Sequence, residues 1–117
     1  MSPDLSSALR ERYPLIFEDV TSIACGDGWF HLIDALCESL QSATQHGRPQ
    51  VVARQVKEKF GALRFYTGQR NEEQRGMLEL AERLSARVCD VCGNPGKRRG
   101  PLIVKTRCAE HANYDED

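Results

Sequence analysis

The chain has 117 residues, enough for one domain with a modest core, or one small domain plus a metal-bearing appendage. Its 40% hydrophobic and 28% charged content fits a soluble globular protein, and apolar runs of only a few residues exclude a membrane span. The net charge of −1 hides a segregation: residues 1–47 carry −5, residues 48–70 carry +5, residues 71–107 carry +3 and the last ten carry −4.

A basic middle between acidic ends either makes a face for a polyanion or neutralises the acidic segments within the fold. The stretch Met1–Ser7 lacks the basic and apolar regions of a signal peptide. Five cysteines, an odd number, with a metal-type spacing point to a reducing, cytoplasmic setting.

Residues 4–12 read as a short helix, capped by Ser2 or Asp4, with Leu5 and Leu9 on one face. Tyr13-Pro14 ends it, because the residue before a proline is pushed out of the helical region. The glycines of Cys25-Gly26-Asp27-Gly28-Trp29 mark a turn, and Asp27 is the expected N-cap of a helix from about 28 to 45. Trp29, Ile33, Leu36, Cys37 and Leu40 give that helix an apolar stripe. His46-Gly47-Arg48-Pro49 closes it.

From Gln50 the period changes to two, and two β-rich runs joined through Lys59-Phe60-Gly61 predict a hairpin. Leu63 and Phe65 are expected on one side, Arg64 and Tyr66 on the other. Asn71 opens a third helix with an acidic first turn, favourable at the positive end of the helix dipole. Met77, Leu80, Ala81, Leu84 and Val88 are its expected apolar face, and the helix is expected to run directly into Cys89. Beyond it, Lys97-Arg98-Arg99-Gly100 reads as a basic loop and Leu102-Ile103-Val104 as a strand.

The strongest chemical signal is Cys89-x2-Cys92 and Cys108-x2-His111, with fifteen residues between Cys92 and Cys108. A two-residue gap lets both donors of a knuckle reach one ion, and zinc takes thiolate and imidazole in a tetrahedral cage. Gly93 permits the tight turn after the first knuckle. The competing account, ordinary buried or disulfide-bonded cysteines, is weaker because three of five cysteines fall in this one pattern. Four protein donors leave no open coordination position, so the expected zinc is structural and organises a segment with few apolar residues.

A zinc deaminase needs His-x-Glu and Pro-Cys-x-x-Cys; Val88 precedes the knuckle and no His-x-Glu occurs. A nuclease of the His-Asn-His type needs a free base and open ligation, and His111 is already spent. Cys37 reads as a small hydrophobe, His31 as a partly buried, hydrogen-bonded residue and His46 as a helix-end residue.

The less settled feature is a run of cations among aromatics. Arg54, Lys57, Lys59, Arg64 and Tyr66, extended by Lys97, Arg98 and Arg99, form a candidate surface for a polyanion or a partner. The plainer account makes Phe60 and Phe65 core residues and the cations a solvated face.

Lys57-Glu-Lys-Phe-Gly-Ala-Leu-Arg-Phe-Tyr66, the Ala81-Glu-x-x-Ser85 helix end and Cys89-x-x-Cys92-Gly-x-Pro-Gly96 together resemble uncharacterised small zinc-knuckle proteins encoded by bacteriophages and prophages. The resemblance runs from about Cys25 to His111 and implies a bacterial cytoplasmic setting and binding of a host or defence macromolecule. It carries over only the four zinc positions.

The expected fold is therefore α+β: helices packed on a small antiparallel β-hairpin, with a C-terminal zinc knuckle or ribbon. The expected divisions are a core over 1–88, a zinc module over 89–113 and an acidic tail over 114–117. The expected function is that of a non-catalytic binding protein with a protein partner. The alternative is a DNA- or RNA-binding module using 54–66 and 97–99, and a nuclease is the least supported reading.

Overall fold

The computed structural model describes residues 1–114, so of the expected tail 114–117 all but Tyr114 lies outside the described residues. The architecture is α+β. It contains helices α1 (Pro3–Arg12), α2 (Phe30–Gln45) and α3 (Glu72–Ser85). Strands β1 (Ile23–Ala24), β2 (Ala53–Lys59) and β3 (Ala62–Thr67) make one sheet in the order β1-β2-β3. Strands β4 (Lys97–Arg99) and β5 (Lys105–Arg107) make a second, two-stranded sheet.

Pro3 starts α1, where its fixed φ suits a helix and its missing N–H costs nothing. Leu9 is the fully buried contact of α1 with the core. Asp27 does not cap α2. Its carboxylate accepts from the Ser2 amide at 2.7 Å, and α2 instead grows out of a 3-10 turn over Asp27–Trp29. The stripe on α2 lies where the periodicity places it, with Ile33, Leu36, Cys37 and Leu40 buried. Gly47 (φ 90°) takes the left-handed turn after the helix.

β1 pairs with β2 in parallel, Ile23 opposite Val56, and α2 is the crossover that a parallel pair requires. Two residues are too few to carry a periodic signal, so this strand is absent from the sequence reading. β2 and β3 pair antiparallel, Val56 opposite Phe65 and Lys57 opposite Arg64. The strict alternation expected from Gln50 fails, because the register shifts between Ala53 and Gln55. Ala53 and Val56 are both buried, and Arg54 and Gln55 both point out. Leu63 is in the core, and Phe65 lies edge-on to Phe17 with ring centres 6.2 Å apart.

Asn71 and Gln74 form a reciprocal capping box at the start of α3, with bonds of 2.9 and 3.0 Å. The buried face of α3 is rotated from the expected one. Gln74, Ala81 and Ser85 are buried, and Leu80 and Leu84 are 59% and 42% exposed. The polar pair can go inside because both find backbone partners. The Gln74 amide donates to the Pro49 carbonyl at 2.7 Å, and the Ser85 hydroxyl accepts from the Leu63 amide at 2.8 Å. Counting apolar residues alone places such side chains outside.

α3 also stops at Ser85, short of the knuckle, and Val88 pairs with Pro95 as an isolated bridge. Between the knuckles the expected loop and strand exchange places. Lys97–Arg99 is a strand and Leu102-Ile103 sits in the turn. Gly100 (φ 107°) forces that turn, since a Cβ there would lie 2.1 Å from the Ile103 carbonyl oxygen.

Candidate metal centre and neighbouring apolar turns

The Cys89/Cys92 and Cys108/His111 pairs converge. The donor atoms of Cys89, Cys92, Cys108 and His111 lie within 4.8 Å of one another, a group able to hold a metal ion. The first pair sits on a turn closed by the Gly93 amide donating to the Cys89 carbonyl at 2.9 Å, with Gly93 left-handed at φ 82°. The second pair follows β5 and enters a 3-10 turn over Ala109–His111. Cys92 and Cys108 sulfurs are 3.7 Å apart, and His111 Nδ1 is 3.2 Å from Cys108 Sγ and 3.7 Å from Cys89 Sγ. Burial works against a charged Cys89, but hydrogen bonds from the backbone at Cys108, Cys92 and Val91 outweigh it and pull the thiol down to about 6.

The turn Gly26-Asp27-Gly28 is the seat of this centre. A Cβ on Gly26 would lie 1.9 Å from the Asp90 carbonyl oxygen, and one on Gly28 would lie 2.2 Å from that of Cys89. Only glycine lets the two backbones approach this closely. The Gly28 amide donates to the Asp90 carbonyl at 3.0 Å, and the Trp29 indole donates to the Val88 carbonyl at 2.8 Å. Inside the knuckle hairpin, Asp90 and Arg107 form a buried ion pair. Arg107 also donates to the Tyr114 carbonyl at 3.2 Å.

The β2–β3 connection packs on the β4–β5 pair. Thr106 Oγ1 donates to the Gly61 carbonyl at 2.5 Å, and Lys105 pairs with Glu58 at 2.6 Å. Phe60 and Gly61 both have positive φ, 55° and 81°. This is the turn that matches strand twist, and Asn-Gly is its favoured sequence. Among the described residues Phe60 is the one non-glycine in this region, and it is 61% exposed. A left-handed non-glycine residue costs roughly 1–2 kcal/mol. Phe60 recovers little of that by burial, so it is not the core residue that the plainer sequence account makes it. Leu102 and Ile103, in the neighbouring turn, are 92% and 76% exposed.

Several of the candidate contact residues are engaged within the fold. Arg54 pairs with Asp19 at 3.6 Å, and Arg64 pairs with Glu82. Lys57 stands opposite Arg64 on the outer side of the sheet, with exposed Tyr66 two pairs further along on the same side. Lys59 lies over the Phe60 ring, its Nζ 5.6 Å from the centroid. Lys97 and Arg98 are exposed, and Arg99 is half-buried with Nε donating to the Arg107 carbonyl at 2.9 Å. Sequence reasoning missed the Gly26/Gly28 seat and the exposed apolar turns. The signal for Phe60 was available: a two-residue Phe-Gly connection obliges the phenylalanine to adopt positive φ.

The remaining singled-out residues have local explanations. His31 is exposed, not partly buried as expected, and packs its ring edge-on to Phe30; His46 Nδ1 lies 2.8 Å from the Ser42 carbonyl. Cys25 and Cys37 are buried. Among the described residues no helix is long and apolar enough to cross a membrane. No protein-family model matches the chain, and neither a curated protein nor a solved structure matches it.

Proposed function

We propose that the four donors hold one zinc ion and that the protein is a non-catalytic binding module built around it. Zinc–sulfur bonds of about 2.3 Å and zinc–nitrogen bonds of about 2.0–2.1 Å make tetrahedral edges of about 3.8 Å between sulfurs and about 3.5 Å from nitrogen to sulfur. The separations of 3.7, 3.7 and 3.2 Å support that size of ion and three-thiolate chemistry. Four protein donors complete the shell, which favours a structural over a catalytic ion. The partner in this reading is a protein, a host or defence factor in a bacterial cytoplasm, in keeping with the resemblance to phage and prophage proteins.

The observation that carries the binding reading is Phe60, which spends conformational energy to stay in solvent. The test has two parts. Purified protein is expected to contain one equivalent of zinc, and a chelator is expected to loosen residues 89–111 and alter the emission of Trp29, the sole tryptophan. Capture from a bacterial lysate is then expected to retain a protein partner on the metal-loaded chain. A metal-free protein that folds normally would sink the first part.

A second reading, a nucleic-acid-binding module, draws on Lys57, Arg64 and Tyr66 sharing the outer sheet side. It predicts binding to random-sequence DNA or RNA that falls steeply with salt. Absence of binding at low salt removes it.

A further inference from the structure

We infer that Phe60, Leu102 and Ile103 form a docking tip for an acidic protein segment that carries a large apolar side chain. The inference rests on the binding-module reading and names the surface and the chemistry of the partner. Three large apolar side chains are exposed in two adjoining turns. A Cβ at Gly61 would meet Thr106 Oγ1 at 3.0 Å, Arg98 Cγ at 3.2 Å and Val104 Cγ1 at 3.4 Å. Phe60 and Ile103 are therefore each one residue away from the contact that holds the turns together. The Phe60-Gly61 turn is tied down on both sides of Gly61, whose amide donates to Glu58 at 2.7 Å and whose carbonyl accepts from Thr106 at 2.5 Å. Stiff anchors lose little entropy on binding.

The surroundings of the tip are cationic. Lys59 and Arg98 are exposed beside the two turns: Lys59 precedes Phe60, and Arg98 Cγ lies 3.2 Å from the Cβ position of Gly61. The carboxylate that touches the first turn, Glu58, is turned away from solvent: it accepts from Lys105 at 2.6 Å and from the Gly61 amide at 2.7 Å. An apolar centre with a rim of one sign is the anatomy of a protein interface selective for the opposite sign. Two of the three anchors are aliphatic and have no π-face for a nucleobase, so a protein segment fits better than a single strand.

The test uses the full metal-loaded chain. Short random peptides are selected on it, and the winners are measured against oligo-dT and phosphatidylserine vesicles as rival probes. Selected peptides are expected to place Asp or Glu around a Phe, Trp or Leu. Phe60→Asn is expected to weaken them about tenfold or more, as an aromatic anchor should. The same variant is expected to melt at a higher temperature, because Asn-Gly suits the turn, so lost binding cannot be lost folding. The double change Leu102→Ser with Ile103→Ser is expected to weaken the peptides similarly. Lys59→Glu with Arg98→Glu is expected to weaken them and flatten their salt dependence.

Peptides without acidic bias, or untouched by Phe60→Asn, overturn the inference. Preference for oligo-dT or vesicles, sensitive to Phe60→Asn, overturns the acidic segment while leaving a binding module standing. Failure of every probe, with no partner captured from lysate, overturns both.

Discussion

The indole of Trp29 donates to the carbonyl of Val88 across 2.8 Å, one residue before the first cysteine of the cluster. Trp29 is fully buried, so this bond fixes the start of α2 to the entry of the knuckle. Trp29→Phe keeps most of the packing and strands the Val88 carbonyl. It is expected to cost about 1–3 kcal/mol in urea unfolding, through an unpaired buried acceptor. It is also expected to speed metal loss to a chelator. Unchanged chelation kinetics would show that the seat and the centre are uncoupled.

The glycines of the chain divide into those that touch the knuckle and those that do not. Gly26→Ala and Gly28→Ala each drive a methyl into backbone at 1.9 and 2.2 Å. Each is expected to cost about 1–3 kcal/mol or more, because the obstacle is backbone and not a movable side chain. Gly76, mid-way along α3, has nothing within 4 Å of its Cβ position. Gly76→Ala is expected to stabilise by about 0.5–1 kcal/mol from helix propensity. Thermal midpoints of the three variants check the split, and a stable Gly26→Ala protein would refute the close approach.

The same residues mark the boundary of what the sequence reveals. The stripe on α2 and the converging donors were legible because both are short-range patterns: helical periodicity and two-residue gaps. The role of Gly26 and Gly28 was not, because their obligatory neighbours lie some sixty residues on, at Cys89 and Asp90. Gln74 and Ser85 look like solvent-facing residues until Pro49 and Leu63 supply their partners. Leu102-Ile103 looks like a strand because two β-branched or aliphatic residues outweigh the glycine before them. The left-handed turn at Gly100, which folds the chain back onto the Ile103 carbonyl three residues on, decides otherwise.

Cys25 and Cys37 set an alkaline limit. Burial pushes the Cys25 thiol up to about 12 and raises that of Cys37 as well. In the unfolded chain these thiols ionise near 9.0. Below that pH both states hold the proton and the contribution to stability is complete. Above it the unfolded state binds fewer protons than the folded one, so stability falls as pH rises from about 9 toward 12. The double variant Cys25→Ala with Cys37→Ala is expected to show a flatter decline than the wild type over that window. Iodoacetamide at mildly alkaline pH is expected to label both cysteines only after denaturation. Equal slopes, or rapid native labelling, would contradict their burial.

Asp90 and Arg107 join the two halves of the Cys/His cluster from inside. Asp90 follows Cys89, Arg107 precedes Cys108, and their side chains are 3% and 4% exposed. At that depth an ion pair is costly to break, and removing either member is expected to lose about 3–5 kcal/mol. Asp90→Ala is expected to lose that amount and to weaken metal retention, because Arg107 then repels the cation that the cluster would hold. Arg107→Met is expected to cost more, since Arg107 also donates to the Tyr114 carbonyl and lies over its ring, 5.4 Å from the centroid. The double variant Asp90→Leu with Arg107→Met is expected to cost less than the sum of its parts, because it removes both charges of the buried pair together. Urea unfolding with chelator competition on all three checks the cycle. Single variants within about 0.5 kcal/mol of wild type, as surface pairs behave, would show that the buried pair contributes nothing.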